Sequence, residues 1–216
     1  MEARFELQEI RVENAAAAKV GKLTGDAAER LADLAIHRAD LTFAKQCIQA
    51  LDALPAEPQI VRDALYRSAV VAWAKCFASS DAGRFKLKRP EIYPQGLPSD
   101  TANYFYRLRN KHIAHDDSPF SQAVPIAFIA KPGAGRKVIE VGAVSMTANI
   151  DTNGFGLSNL NQLVEDALKW VAAENNKVGE AIREDLELRD YAELMALQDV
   201  SVTPPNASDV ATTRTR

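Results

Sequence analysis

Cysteine is scarce in this chain: Cys47 and Cys76 are the two in 216 residues. A pair so far apart makes neither a disulfide framework nor a zinc ribbon. Both sit in apolar, helix-like segments and read as buried free thiols in a reducing compartment. Long apolar runs are missing too, since no window approaches the ~20 residues of a membrane span. The first residues, Met1-Glu2-Ala3-Arg4-Phe5-Glu6, lack the apolar core and cleavage pattern of a signal peptide. The expectation is a cytoplasmic protein with no membrane partner. Nor is there an excess of charge of one sign. The formal net charge is −3 and the pI about 5.7. Bulk charge therefore supplies no nucleic-acid footprint, and any RNA contact has to come from a local basic patch.

Apolar residues make up 47% and charged residues 25% of the chain, an ordinary globular balance. A core of this size buries roughly 70% of the extended chain's surface without help from a metal or a disulfide. The pattern reads as one helical domain over 1–199 and a disordered tail over 200–216, where Pro204, Pro205 and a polar, aperiodic stretch end the chain.

Periodicity places the elements. Residues 1–24 are mixed, and the alternation Phe5 to Val12 fits a short strand or a helix start. Thr24-Gly25-Asp26 opens a first helix with Asp26 as the expected N-cap. Leu31, Leu34, Leu41, Ile48 and Leu51 form its core stripe, and it stops near Leu54-Pro55. A second helix is expected over Pro58–Ser79, with Val61, Leu65, Ala69, Ala72 and Cys76 on one face. Trp73 reads as a core residue with its N–H bonded.

Residues 80–99 read as a loop broken by Pro90, Pro94, Gly96 and Pro98. Its basic run, Arg84-Phe85-Lys86-Leu87-Lys88-Arg89, fits an exposed, solubilising loop or a nucleic-acid surface. Ser99-Asp100 caps a third helix that runs to Asp117-Ser118-Pro119. Two β-prone segments, 123–130 and 137–144, flank Lys131-Pro132-Gly133-Ala134-Gly135 and predict a hairpin within about 121–148. A long final helix is expected from Ser158 to Leu186, with Leu160, Leu163, Val164, Ala167, Val171, Val178 and Ile182 as its apolar stripe. The fold class is mainly α: a four-helix bundle with a β-hairpin inserted between the third and fourth helices.

Only three histidines occur, and two lie within one short run, Arg107-Leu108-Arg109-Asn110-Lys111-His112-Ile113-Ala114-His115-Asp116. Histidine exchanges a proton near neutrality, and arginine grips a phosphate with two parallel donors. Together they suit phosphodiester cleavage: an imidazole moves the proton and a guanidinium stabilises phosphoryl charge. On a straight α-helix Arg109 and His115 are about 120° and ~9 Å apart. Arg109, His112 and Asp116 share one stripe, and Arg107, Lys111 and His115 the next. Two copies of the helix in a homodimer would gather what one copy spreads out.

An Arg, a polar residue and a His after the third helix of an α-bundle resembles the HEPN superfamily (higher eukaryotes and prokaryotes nucleotide-binding domains). Its motif is Arg, four to six residues, His, usually with a polar residue after the Arg. Arg109, Asn110 and His115 match with five residues between. The phrase Arg-Asn-Lys-x-Ile-Ala-His-Asp is most similar to the prokaryotic branch of abortive-infection proteins. The resemblance implies a metal-independent endoribonuclease without cofactors, acting on RNA as a homodimer, in a toxin or phage-defence setting with an antitoxin partner. It implies that Arg109 contacts phosphate, His115 transfers the proton and Asn110 orients. Arg107, Lys111 and His112 are candidate substrate-binding residues by our own reading.

Three other readings stand beside it. The run can be a cation-rich helix end that complements the helix dipole. It can be part of a HEPN-like bundle that binds nucleotide or protein without cutting. His112-x-x-His115-Asp116 has the spacing of metal ligands, but neither His37 nor the cysteines offer an obvious further ligand. His37 itself reads as an ordinary surface or half-buried residue.

Overall fold

The computed structural model describes residues 18–55, 58–79, 83–114, 121–147, 154–200 and 207–212. The alternation over Phe5–Val12, and His115 with Asp116, lie outside the described residues. In order, the elements are α1 (Asp26–Ala53), α2 (Gln59–Lys75), α3 (Arg89–Ile92), α4 (Leu97–Leu108), a π-helical turn (Arg109–Ile113), β1 (Ser121–Ile129), β2 (Val138–Thr147), α5 (Gly154–Glu187), α6 (Tyr191–Met195) and a 3-10 turn (Ala207–Ala211). The chain is mainly helical, with one antiparallel two-stranded hairpin between α4 and α5. No helix among the described residues is long and apolar enough to cross a membrane.

The chain divides into two compact units. One is drawn from Met1–Ala39, Ala78–Leu87 and Lys169–Arg216, the other from Asp40–Phe77 and Lys88–Leu168.

In the first unit, α1 starts one residue away from the expected cap. Gly25 takes the cap position, with φ +95° and its carbonyl accepting the Glu29 N–H at 2.9 Å. That backbone angle favours glycine, so Asp26 becomes the first helical residue instead. His37 corrects its own expectation: it is fully buried. Its Nε2–H donates to the Phe85 carbonyl at 2.8 Å, and its ring meets the Phe85 ring edge-on at 5.0 Å. Asp33 accepts the Phe85 N–H at 3.1 Å, and the Arg30 guanidinium lies 3.7 Å from the Phe85 ring centroid. The basic run is thus anchored: Leu87 is buried and Phe85 half-buried, while Lys86 stays exposed. Further along, Gly21 bridges to Asp199, and a Cβ on Gly21 would fall 2.7 Å from Leu197 Cβ. Only glycine lets the two segments approach there.

In the second unit, the core gathers round Trp73. Trp73, Tyr66, Tyr93 and Phe105 are each at most 1% exposed. Trp73 and Phe105 meet edge-on with centroids 6.4 Å apart, and Trp73 and Phe77 lie 5.0 Å apart. Each such pair adds roughly 0.5–1.5 kcal/mol beyond area burial. The Trp73 N–H donates to Tyr93 Oη at 2.9 Å, and that hydroxyl donates to the Leu163 carbonyl at 2.9 Å, so no polar atom of the chain of bonds is wasted. Burial pushes the Tyr93 hydroxyl far above its ordinary range. Leu41, Ile48 and Leu51 of α1 are buried as the stripe predicts, with Ala44 beside them, and Leu160, Leu163 and Val164 of α5 are buried too.

Ala69, Ala72 and Cys76 of α2 are buried as expected, and the first turns differ. Val61 is exposed, whereas Arg62 and Tyr66 are buried. The first turns mix polar and apolar side chains, and the large Tyr66 ring takes the inner position there. Arg62 Nη1 donates to the carbonyls of Leu51 (3.0 Å) and Leu54 (3.1 Å), where α1 ends. A cation at that carbonyl end completes bonds the helix cannot make itself. The helix also ends earlier than expected, at Lys75. Cys47 and Cys76 are buried free thiols, and burial raises the Cys47 pKa.

The stretch expected as pure loop contains α3, with Pro90 in its first turn, where a missing N–H costs nothing. α4 begins at Leu97 after Gly96, not at Ser99-Asp100, because Gly96 adopts φ +96° and its carbonyl accepts the Asp100 N–H at 3.0 Å. The hairpin pairs Val124 with Val144 and Phe128 with Glu140, with a bulge between Phe128 and Ile129.

Candidate functional site

The candidate run does not continue as an α-helix. α4 buries Ala102, Phe105 and Leu108 at three-residue spacing. The next α-helical positions on that face would be Lys111 and His112, which are polar. Ile113, five residues beyond Leu108, is the next apolar side chain, and it is half-buried. The backbone follows that spacing: the Ala114 N–H donates to the Arg109 carbonyl at 2.9 Å, a bond closing over five residues. π-turns are rare and recur at functional sites.

This corrects the geometry expected of the run. The stripes Arg109–His112–Asp116 and Arg107–Lys111–His115 assume a straight α-helix, and that assumption fails after Leu108. Arg109 is aligned with Ala114 rather than with Ile113.

The side chains are placed as follows. Arg107 and Lys111 are exposed, and Arg109, Asn110 and His112 are half-buried. Arg109 Nη1 donates to Asn110 Oδ1 at 2.9 Å. Arg109 Nε is buried with no hydrogen-bond partner among the described residues. A buried donor left unmade costs roughly 1–3 kcal/mol, so an incoming acceptor would recover that cost. Burial, and secondly the positive charge of Arg67, hold the His112 pKa below its ordinary 6.5. Near neutrality its imidazole is therefore uncharged and able to accept a proton.

Arg67 belongs to α2, which packs against the π-turn. Sequence reasoning misses it, because nothing local marks Arg67; only the meeting of two elements brings its charge to His112. Of the proton-transfer and phosphate residues, the structure joins Arg109 to Asn110 and sets Arg67 beside His112, while His115 lies outside the described residues. Among the described residues no group of three or more His, Cys, Asp or Glu side chains could hold a metal ion.

The chain matches no family model, no curated protein and no solved structure.

Proposed function

We propose that the chain is a HEPN-type, metal-independent endoribonuclease that works as a homodimer. The observation that carries this reading is the Arg109 guanidinium, steered by Asn110, with a buried donor uncommitted, in a π-turn that also holds an uncharged imidazole. Arg109, with Arg67, Arg107 and Lys111, would grip the phosphate backbone. An imidazole would take the proton from the ribose 2′-hydroxyl, whose oxygen attacks phosphorus while the 5′-oxygen leaves with a proton, producing a cyclic phosphate. Arg109 would stabilise the charge that develops on the phosphoryl oxygens. The HEPN resemblance assigns the proton transfer to His115, and a toxin or phage-defence role with an antitoxin partner follows from the same resemblance.

The test is purified protein with single-stranded RNA in EDTA. Cleavage with 2′,3′-cyclic phosphate ends is expected, falling roughly 100-fold or more in Arg109→Ala and His115→Ala. His115→Ala cutting as well as the parent would refute the assignment. RNA binding that weakens in Arg109→Ala without any cleavage would replace it by the non-catalytic, nucleotide-binding reading.

A further inference from the structure

A second guanidinium beside α4 is held in the same way as that of Arg109. Arg89 Nη1 donates to Asn103 Oδ1 at 2.9 Å, just as Arg109 Nη1 donates to Asn110 Oδ1 at 2.9 Å. The Arg89 guanidinium also lies over the Tyr106 ring, 4.3 Å from its centroid. All five side chains are half-buried. The backbone beneath Arg89 is fixed as well. α3 packs against α4, and the Tyr93 N–H donates to the Arg89 carbonyl at 2.7 Å. The buried Tyr93 hydroxyl is bonded in turn to Trp73 and Leu163. Arg89 is thus oriented in advance of any partner, which lowers the entropy lost on binding one.

Charge is the first clue to that partner. Lys45, Lys75 and Lys88 of the same unit each face a carboxylate, of Glu165, Asp40 and Glu91. Asn103 and Asn110, by contrast, aim a guanidinium without cancelling its charge. Among the described residues neither Arg89 nor Arg109 is ion-paired with a carboxylate. Both cations are left to an outside anion, which their remaining N–H donors suit. Spacing is the second clue. Asn103, Tyr106 and Asn110 follow one another at three and four residues, close to one stripe. The Arg109 N–H still donates to the Phe105 carbonyl, so the widening of the turn displaces Asn110 only slightly. The two amides are then roughly 10 Å apart along the axis. The phosphates of a nucleoside diphosphate share an oxygen and cannot reach both guanidinia. One sugar–phosphate linkage of a strand is too short, and two linkages suffice.

We propose that Arg89, aimed by Asn103 and seated on Tyr106, is a second phosphate subsite, which grips a single RNA strand two linkages away from the phosphate held by Arg109. It rests on the reading of the π-turn as an RNA site and adds the direction in which the strand leaves it, along α4 toward α3.

The test uses the full chain and 2′-O-methyl oligonucleotides, which cannot be cut by attack of the 2′-oxygen. They carry one to five internal phosphates and no terminal phosphate, and compete with a longer labelled strand in fluorescence anisotropy. Affinity should step up about tenfold at the third phosphate, the worth of one charge-assisted contact. Arg89→Gln should remove that step and leave strands with one or two phosphates within twofold of the parent. Asn103→Asp keeps the hydrogen bond but neutralises the guanidinium. Its melting temperature should match or exceed the parent's while the step is lost, an outcome that a purely structural Arg89 does not give. Lys88→Gln, an exposed neighbour, should keep the step. No step in the parent, a step that survives both Arg89→Gln and Asn103→Asp, or an equal loss in Lys88→Gln would each overturn the proposal. Cleavage of ordinary RNA without the step would sink this subsite alone. The step without cleavage would leave it standing and sink the nuclease. A chain that binds no strand would end both.

Discussion

At the residue scale, burial assigns roles that residue type alone does not. His37 and Arg62 would each be solvated on most helices. His37 instead fastens a basic loop to α1 through the Phe85 carbonyl, and Arg62 closes the carbonyl end of α1. His112 is the residue whose surroundings have a measurable pH signature. Its pKa is depressed in the folded chain, so between the folded value and 6.5 the unfolded chain binds more protons. Stability contributed by neutral His112 is therefore complete above about 6.5 and is lost as the pH falls through that window toward the folded value. Urea titrations at pH 7.5 and 5.5 should show a loss of stability on acidification that shrinks in His112→Gln. Arg67→Met should raise the imidazole pKa toward 6.5, read by NMR titration of the ring protons. No change in Arg67→Met would mean that the charge of α2 does not reach the ring.

At the element scale, spacing explains both the successes and the misses. The stripes of α1 and α5 carry a 3.6-residue signal, and most of each is buried where that signal puts it, with Leu31, Val178 and Ile182 half-buried. On α2 the period puts Ala69, Ala72 and Cys76 inward, where they are, but misses that Arg62 and Tyr66 rather than Val61 are buried in its first turns. The hairpin was legible because two β-prone segments flank a Pro-Gly loop. The π-turn was visible only as a five-residue gap between Leu108 and Ile113, a spacing that an α-helical template discards. Deleting Lys111 should close that gap and restore an α-helical register. The expected result is a melting temperature equal to or above the parent's, with RNA binding and cleavage lost. Lys111→Ala, which keeps the turn, should reduce binding only a few-fold. Equal losses in both variants would show that the turn itself has no part in the site.

At the scale of the whole molecule, a net charge of −3 limits how the chain can hold a polyanion. Arg67, Arg107, Arg109 and Lys111 are the cations grouped at the π-turn, and each phosphate contact to a single strand contributes about 0.7 to the salt slope. Binding of a short single-stranded RNA should follow a slope of about −3 in log K against log salt, measured by fluorescence anisotropy. A slope of −6 or steeper would mean a much longer basic track, and the anchored run from Arg84 to Arg89 would be the first place to look.

The amino-acid order alone settled the helical class, the place of the hairpin, the stripes of α1 and α5, and the run in which arginine and histidine cluster. These are local matters, because a repeat of 3.6 or 2 is written within a dozen residues. Tertiary structure decided that Arg62 and Tyr66 rather than Val61 are buried in the first turns of α2, that His37 is buried, that the backbone widens after Leu108, and that Arg67 stands near His112. Those outcomes depend on contacts between segments far apart in the chain, where packing and desolvation outweigh the preferences any short stretch carries.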